Sequence, residues 1–233
     1  MITEKNFNEN LNSLREKISV SCTRAGRKIE EVCILPVTKN WPVEAVCFAH
    51  RAGFTRVGEN RVQEAVSKQD ELNNIRVNWD LIGHLQNNKA KLAVNRFNRI
   101  QTVDSEKLLK KLDASLRILN SQISILIQVN TGKDPAKFGV SEEKCQELLE
   151  KALTFETIKV DGFMTIAPFS PDNKSIPRIA FSRLRELRDQ MESMYKISLK
   201  ELSMGMSGDL DEAINEGSTM IRVGSALFGN RSY

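Results

Sequence analysis

Apolar residues in this chain fall into two alternating rhythms: short runs of about four or five, and longer stripes at helical spacing. Phe7, Leu11, Leu14 and Ile18 step by four, three and four, which predicts a helix over 4–24 with one buried face. It precedes the first strand, a place from which it can close one end of the fold. Residues 34–38 predict that strand. Pro42, at a first helical position, opens a helix carrying Val43, Val46, Cys47 and Ala49 that stops at Gly53. Residues 54–57 form a second strand, ended by Gly58-Glu59-Asn60, and a helix runs from Arg61 toward Leu72. Residues 78–82 are a third strand closed by Gly83-His84, 85–94 a helix and 99–103 a fourth strand.

Asp104 or Ser105 caps the next helix, whose stripe is Leu108, Leu109, Leu112, Leu116 and Leu119. Residues 123–129 are the clearest strand, and Ser141 caps a helix bearing Cys145, Leu148, Leu149 and Ala152. A sixth strand over 157–165 leads into a loop marked by Pro168 and Pro171. The long helix after Pro177 aligns Ala180, Leu184, Leu187, Met191 and Met194. Residues 199–203 are a seventh strand. Asp209 with Glu212 makes a capping box for a short helix ended by Gly217, and 219–223 are the eighth strand, followed by a tail from Ala226 to Tyr233.

Eight strands with helices between them predict an α/β fold, a single (β/α)8 TIM barrel with an additional N-terminal helix, as one domain over 1–233. An open doubly wound sheet satisfies the same alternation. In a barrel the C-terminal ends of the strands share a rim, so Lys39, Asn60, His84, Ser207, Arg222 and Ser225 face one another, and closure makes Lys39 and Arg222 neighbours.

Composition narrows the classes. With 233 residues, 40% of them hydrophobic and 27% charged, the chain reads as soluble and globular. The net charge of +4 is small, and apart from Lys89, Lys91, Arg96 and Arg99, which read as a solvated helix face, bases are interleaved with acids. No nucleic-acid surface is expected. The four cysteines include no C-x-x-C pair and there are two histidines, so neither a metal site nor a disulfide framework is expected. No apolar run approaches the roughly 18 residues of a membrane span, so a cytoplasmic location is expected.

The candidate chemistry begins at Lys39, delivered where the first strand ends. A partly desolvated lysine can serve as a neutral amine toward an aldehyde; a solvated lysine capping the strand is the plainer reading of that stretch alone. The loops after strands seven and eight commonly hold phosphate in such barrels. Ser207-Gly208 and Gly224-Ser225 supply hydroxyl donors and glycines that let the backbone approach an oxyanion. An amine beside a phosphate cradle matches a phosphorylated aldehyde, and pyridoxal 5′-phosphate (PLP) fits best. A barrel binding another phosphorylated metabolite, with Lys39 incidental, stays open.

The sequence resembles the pyridoxal phosphate homeostasis family, stand-alone barrels related to the N-terminal domain of alanine racemase. The likeness runs through Pro36-Val37-Thr38-Lys39, Gly58-Glu59-Asn60 with Val62-Gln63-Glu64, Ile82-Gly83-His84-Leu85-Gln86 with Asn88-Lys89, and Met164-Thr165. It continues through Leu202-Ser203-Met204-Gly205-Met206-Ser207 with Asp209, Gly217-Ser218-Thr219, Arg222-Val223-Gly224-Ser225 and Phe228-Gly229. The resemblance implies that Lys39 carries PLP as a Schiff base, that Ser207, Gly224 and Ser225 hold its phosphate with Asn60 in the same pocket, and that Arg222 faces the pyridine nitrogen. His84, Met204 and Met164 are candidates to line that pocket. The sequence departs from the family pattern at Thr38, where serine is usual, at Arg61, where an aromatic is common, and at Asp80, where histidine is common.

The implied role is non-enzymatic: PLP is buffered, protected or delivered to PLP-dependent apo-enzymes by a chain expected to act as a monomer. The alternative is a PLP-dependent amino-acid racemase. Against it, two-sided proton transfer needs a base on each face of the cofactor, and little sequence follows the eighth strand from which to build the domain that supplies the second in alanine racemase.

Overall fold

The computed structural model describes residues 2–72 and 75–229. Its strands are β1 (Cys33–Pro36), β2 (Arg56–Glu59), β3 (Asn78–Leu81), β4 (Arg99–Val103), β5 (Ile123–Gln128), β6 (Ile158–Met164), β7 (Glu201–Ser203) and β8 (Met220–Val223). They form one sheet in the order β1-β8-β7-β6-β5-β4-β3-β2, parallel throughout, with Leu35 opposite Arg222 and Pro36 opposite Val223. The seam between β1 and β2 is narrow. It is closed just past β1, where Val37 bridges Gly58 and Thr38 N–H donates to the Gly58 carbonyl at 3.0 Å. The result is a (β/α)8 barrel.

The helices are α1 (Glu4–Arg24), α2 (Glu44–Arg51), α3 (Val62–Glu71), α4 (Ala90–Arg96), α5 (Glu106–Leu119), α6 (Glu142–Leu153), α7 (Ser175–Tyr195), α8 (Leu210–Asn215) and α9 (Ser225–Phe228). Parallel strands buried on both faces need this cover. The main core lies between sheet and helices: Leu108, Leu109, Leu112 and Leu116 of α5, and Phe163 of β6, are fully or almost fully buried. Each such side chain contributes about 1.5–3 kcal/mol. Inside the barrel a separate small cluster joins Leu35, Val37, Ile82 and Met220. The N-terminal helix has the predicted bounds and packs on α8 and α9, its Phe7 ring 5.3 Å from that of Phe228.

Several elements differ from their sequence reading. The second strand, expected over 54–57, shares only Arg56 and Val57 with that reading, because Gly53 and Phe54 finish α2: Phe54 N–H donates to the Ala49 carbonyl at 3.0 Å and Gly53 adopts φ +91°. β2 therefore starts two residues later. The helix expected over 85–94 begins only at Ala90, after a 3-10 turn over Asn87–Lys89, because Leu85 is drawn into the core. The stripes of α5 and α7 stop a turn early. Leu119 and Met194 are 40% and 49% exposed, and the helices end in left-handed residues, Asn120 and Lys196.

Ser105 caps α5, accepting from Leu108 N–H, whereas Ser141 stands before α6 without a capping bond. Asp209 forms no capping box either. Its carboxylate accepts from Met206 N–H at 2.6 Å and so closes the loop before α8. The tail forms the short helix α9, and residues 230–233 lie outside the described ones.

Among the described residues all four cysteines are free and no group of His, Cys, Asp or Glu could hold a metal ion. No described helix is long and apolar enough to cross a membrane.

Candidate functional site

A cavity of about 960 Å³ opens among the C-terminal ends of the strands. Lys39, Asn60, His84, Ser207, Arg222, Gly224 and Ser225 all line it, so the topology gathers these predicted residues around one cavity. Met164 and Met204 do not. Both are fully buried away from the cavity, and Met206 lines it instead. Strand alternation would put Met204 and Met206 on one face, but both lie beyond the end of β7 and the chain turns at Gly205 between them. That glycine has φ +93°, and a Cβ there would meet the Ala213 Cβ at 2.4 Å.

Lys39 is half-buried, three residues beyond β1. Its neighbours are fixed from below. Lys68 of α3 donates to the Thr38 carbonyl at 2.7 Å, to Glu59 Oε1 at 2.6 Å and to Glu64 Oε1 at 2.9 Å. The Thr38 hydroxyl also donates to Glu59 Oε1, at 2.6 Å, and Asn40 N–H donates to Glu64. Burial pushes the Glu59 carboxyl up, against the Lys68 ammonium, which draws it down. Sequence reasoning missed this triad. Its signal was Glu64 and Lys68 at i, i+4 on α3, with Glu59 just before that helix.

Arg222 is 4% exposed and held by neutral acceptors. Nη1 donates to the Ser203 carbonyl and hydroxyl at 2.7 and 2.9 Å, and Nη2 to the Thr165 carbonyl at 2.8 Å. Burial lowers its pKa to about 10, with Asp209 opposing the shift. Even so, the guanidinium is charged near neutral pH.

The loops after β7 and β8 meet beside it, where Ala226 N–H donates to the Ser207 hydroxyl at 3.3 Å. Asp209, turned toward Met206 N–H, has its carboxyl pushed up by burial. The cavity wall thus offers two serine hydroxyls and glycine backbone at one end, a guanidinium next to them and a lysine amine. Donors dominate this wall, the set an anionic, phosphorylated ligand requires.

On the opposite side Gly83 lies so close to β2 that a Cβ would sit 2.1 Å from the Asn60 carbonyl oxygen. Asn60 and His84 are thereby brought to one rim. The His84 ring stacks on Phe138 with centroids 3.8 Å apart and planes 9° apart, and its Nδ1 lies 3.5 Å from Asp104 Oδ2. Burial raises the Asp104 pKa, opposed by His84 and by the Gly139 N–H. The stack was not foreseen. Nor were Gln128, Ile82 and the 166–171 loop as lining, although the prolines at 168 and 171 marked that loop.

The family model for the alanine racemase N-terminal domain matches residues 9–232. A pyridoxal phosphate homeostasis protein of Aquifex aeolicus is 37% identical over 225 residues, covering 97% of this chain and 98% of the relative. The structure of PipY from Synechococcus elongatus with PLP bound is 34% identical, with a TM-score of 0.84 over 96% of this chain and all of that one. Alanine racemase of Clostridium difficile shares the fold alone, at 16% identity and a TM-score of 0.79; the match covers 98% of this chain and 58% of the racemase. The chain belongs to the pyridoxal phosphate homeostasis protein family, built on the alanine racemase N-terminal domain.

Proposed function

We propose that this protein binds PLP covalently through Lys39 and acts in its homeostasis in the cytoplasm, buffering the cofactor, protecting it or passing it to PLP-dependent apo-enzymes, without robust catalysis. The observation that carries the proposal is the convergence of Lys39, Arg222, Ser207, Gly224 and Ser225 on one cavity wall. When bound, PLP supplies an aldehyde that a primary amine converts to a Schiff base with release of water.

Ser207, Ser225 and the backbone at Gly224 hold the phosphate, and Asn60 lines the same pocket. Arg222 faces the pyridine nitrogen. A guanidinium donates and cannot accept, so it stabilises the unprotonated nitrogen and opposes carbanion chemistry. The PLP bound to PipY and the name shared by the curated relatives support the assignment.

The test is the visible absorption spectrum after PLP addition, then borohydride reduction and peptide mapping. A visible band trapped on the peptide containing Lys39 is expected, with incubation of the loaded protein with L-alanine giving no sustained formation of the D-enantiomer. An unmodified Lys39 overturns the assignment, and steady racemisation overturns the non-catalytic role.

A further inference from the structure

Behind Arg222 a line of hydrogen bonds runs through the barrel. Arg222 Nη1 donates to Ser203 Oγ at 2.9 Å, Ser203 Oγ donates to Gln101 Oε1 at 2.6 Å, and Gln101 Nε2 donates to Asp80 Oδ2 at 2.6 Å. Asp80 Oδ1 in turn accepts from the Arg56 guanidinium at 2.5 Å. Ser203, Gln101 and Asp80 are fully buried, on β7, β4 and β3. Every bond from Arg222 to Asp80 points the same way.

That common sense follows from what Asp80 is. Burial pushes the Asp80 carboxyl up, and the Arg56 and Arg99 guanidinium groups draw it back down; held against Arg56 it sits as a carboxylate, which accepts only. The Gln101 amide must turn its NH2 toward it, and its other close contact there, Met220 Sδ at 3.3 Å, is a weak acceptor. The Gln101 carbonyl is then left facing Ser203, so the Ser203 hydroxyl must spend its single proton on Gln101. Its lone pairs remain for Arg222. An amide reversed end for end would present N–H to Ser203 and send the serine proton toward Arg222, setting donor against donor.

We propose that Asp80 is a positioning residue for the cofactor site: through Gln101 and Ser203 it fixes the orientation of the Arg222 guanidinium and hence the hydrogen bond that Arg222 offers its ligand. The inference rests on the PLP reading for the identity of that ligand, but the chain of bonds belongs to the protein itself. A buried network of this kind acts as a unit, so loss at its far end is felt at Arg222.

The test is Asp80→Asn, which keeps the shape but lets the group donate as well as accept. In the ligand-free protein, nitrogen-15 NMR of the arginine Nη groups should show separate, slowly rotating Arg222 resonances that collapse in D80N and in Ser203→Ala. In the PLP-loaded protein both variants should still be trapped at Lys39. Both should also shift the ratio of the visible to the near-ultraviolet band of the lysine-bound cofactor and bind PLP about fivefold more weakly, the effect of one ordinary hydrogen bond. D80N combined with S203A should add nothing further.

Arg56→Met, which removes the guanidinium that holds Asp80 as an acceptor-only carboxylate, should shift the band ratio in the same direction as D80N. An Arg222 signature in folded D80N identical to that of the parent protein overturns the proposal. Absence of trapping at Lys39 with the Arg222 signature still sensitive to D80N overturns the PLP reading and leaves the positioning role standing.

Discussion

Replacing Lys68 by methionine takes an ammonium away from two carboxylates while keeping nearly the same length of chain. The side chain of Lys68 is 7% exposed and that of Glu59 is fully buried. After the change Glu64, 21% exposed, can turn to water, but Glu59 cannot. Its Oε1 keeps the Thr38 hydroxyl at 2.6 Å, and its Oε2 has no hydrogen-bond partner among the described residues to begin with. Removing one partner of a buried pair costs about 3–5 kcal/mol.

Glu59 limits that cost by taking up a proton, because burial already pushes its carboxyl up and Lys68 is what restrains it. A carboxyl whose folded pKa lies above its unfolded value gives the folded state an extra proton between the two. Stability therefore falls as pH rises through that interval, and the penalty should be smaller at about pH 5 than at about pH 8. Urea unfolding followed by circular dichroism, on the parent protein, Lys68→Met and Lys68→Met/Glu59→Gln, measures it. The single variant should lose about 3–5 kcal/mol at the higher pH, and the double variant should recover most of this. A loss below about 1 kcal/mol, or one equal at both pH values, would refute the claim that a buried carboxylate has been stranded.

Gly83→Ala forces a Cβ to within 2.1 Å of the Asn60 carbonyl oxygen, so the β2 and β3 loops must part. A loss of about 1–3 kcal/mol is expected in thermal unfolding, with weaker PLP binding. Phe163→Ala, at a fully buried β6 position, should cost about 3–5 kcal/mol, and a smaller effect would mean that the helices collapse onto the sheet. In the native protein a thiol reagent should modify exposed Cys33 long before Cys145, which is fully buried and whose pKa burial pushes up to about 12; equal rates by peptide mapping would contradict that burial.

Legibility in the sequence followed how local each determinant is. The helix Glu4–Arg24 was readable because the stripe of Phe7, Leu11, Leu14 and Ile18 marks its buried face; the Thr3 cap that fixes its start was not read. The start of β2 was not, since the bond from Phe54 to Ala49 that delays it is a helix-ending device with an aromatic residue where a strand is expected. At the site, Lys39, Arg222 and the two serines were readable because they fall at strand ends, which the barrel places on one rim. Met204 was misplaced because a single glycine reverses which side chain faces the cavity. The acceptors of Arg222 come from β7 and from the residue just beyond β6, and the His84–Phe138 stack from loops far apart in sequence, so no periodicity could announce them.

The pairing of β1 with β8 also sets an order of events during synthesis. Cys33 through Pro36 find their partners only in Met220 through Val223. Until those residues have emerged from the ribosome, the strand leading to Lys39 is an open edge, and the arginine and serine of the last strand and its loop do not yet exist. On the proposed PLP assignment, a nascent chain carries the Lys39 amine well before it carries the groups that would retain a phosphorylated aldehyde, so selective capture of the cofactor would begin only when translation has reached the eighth strand.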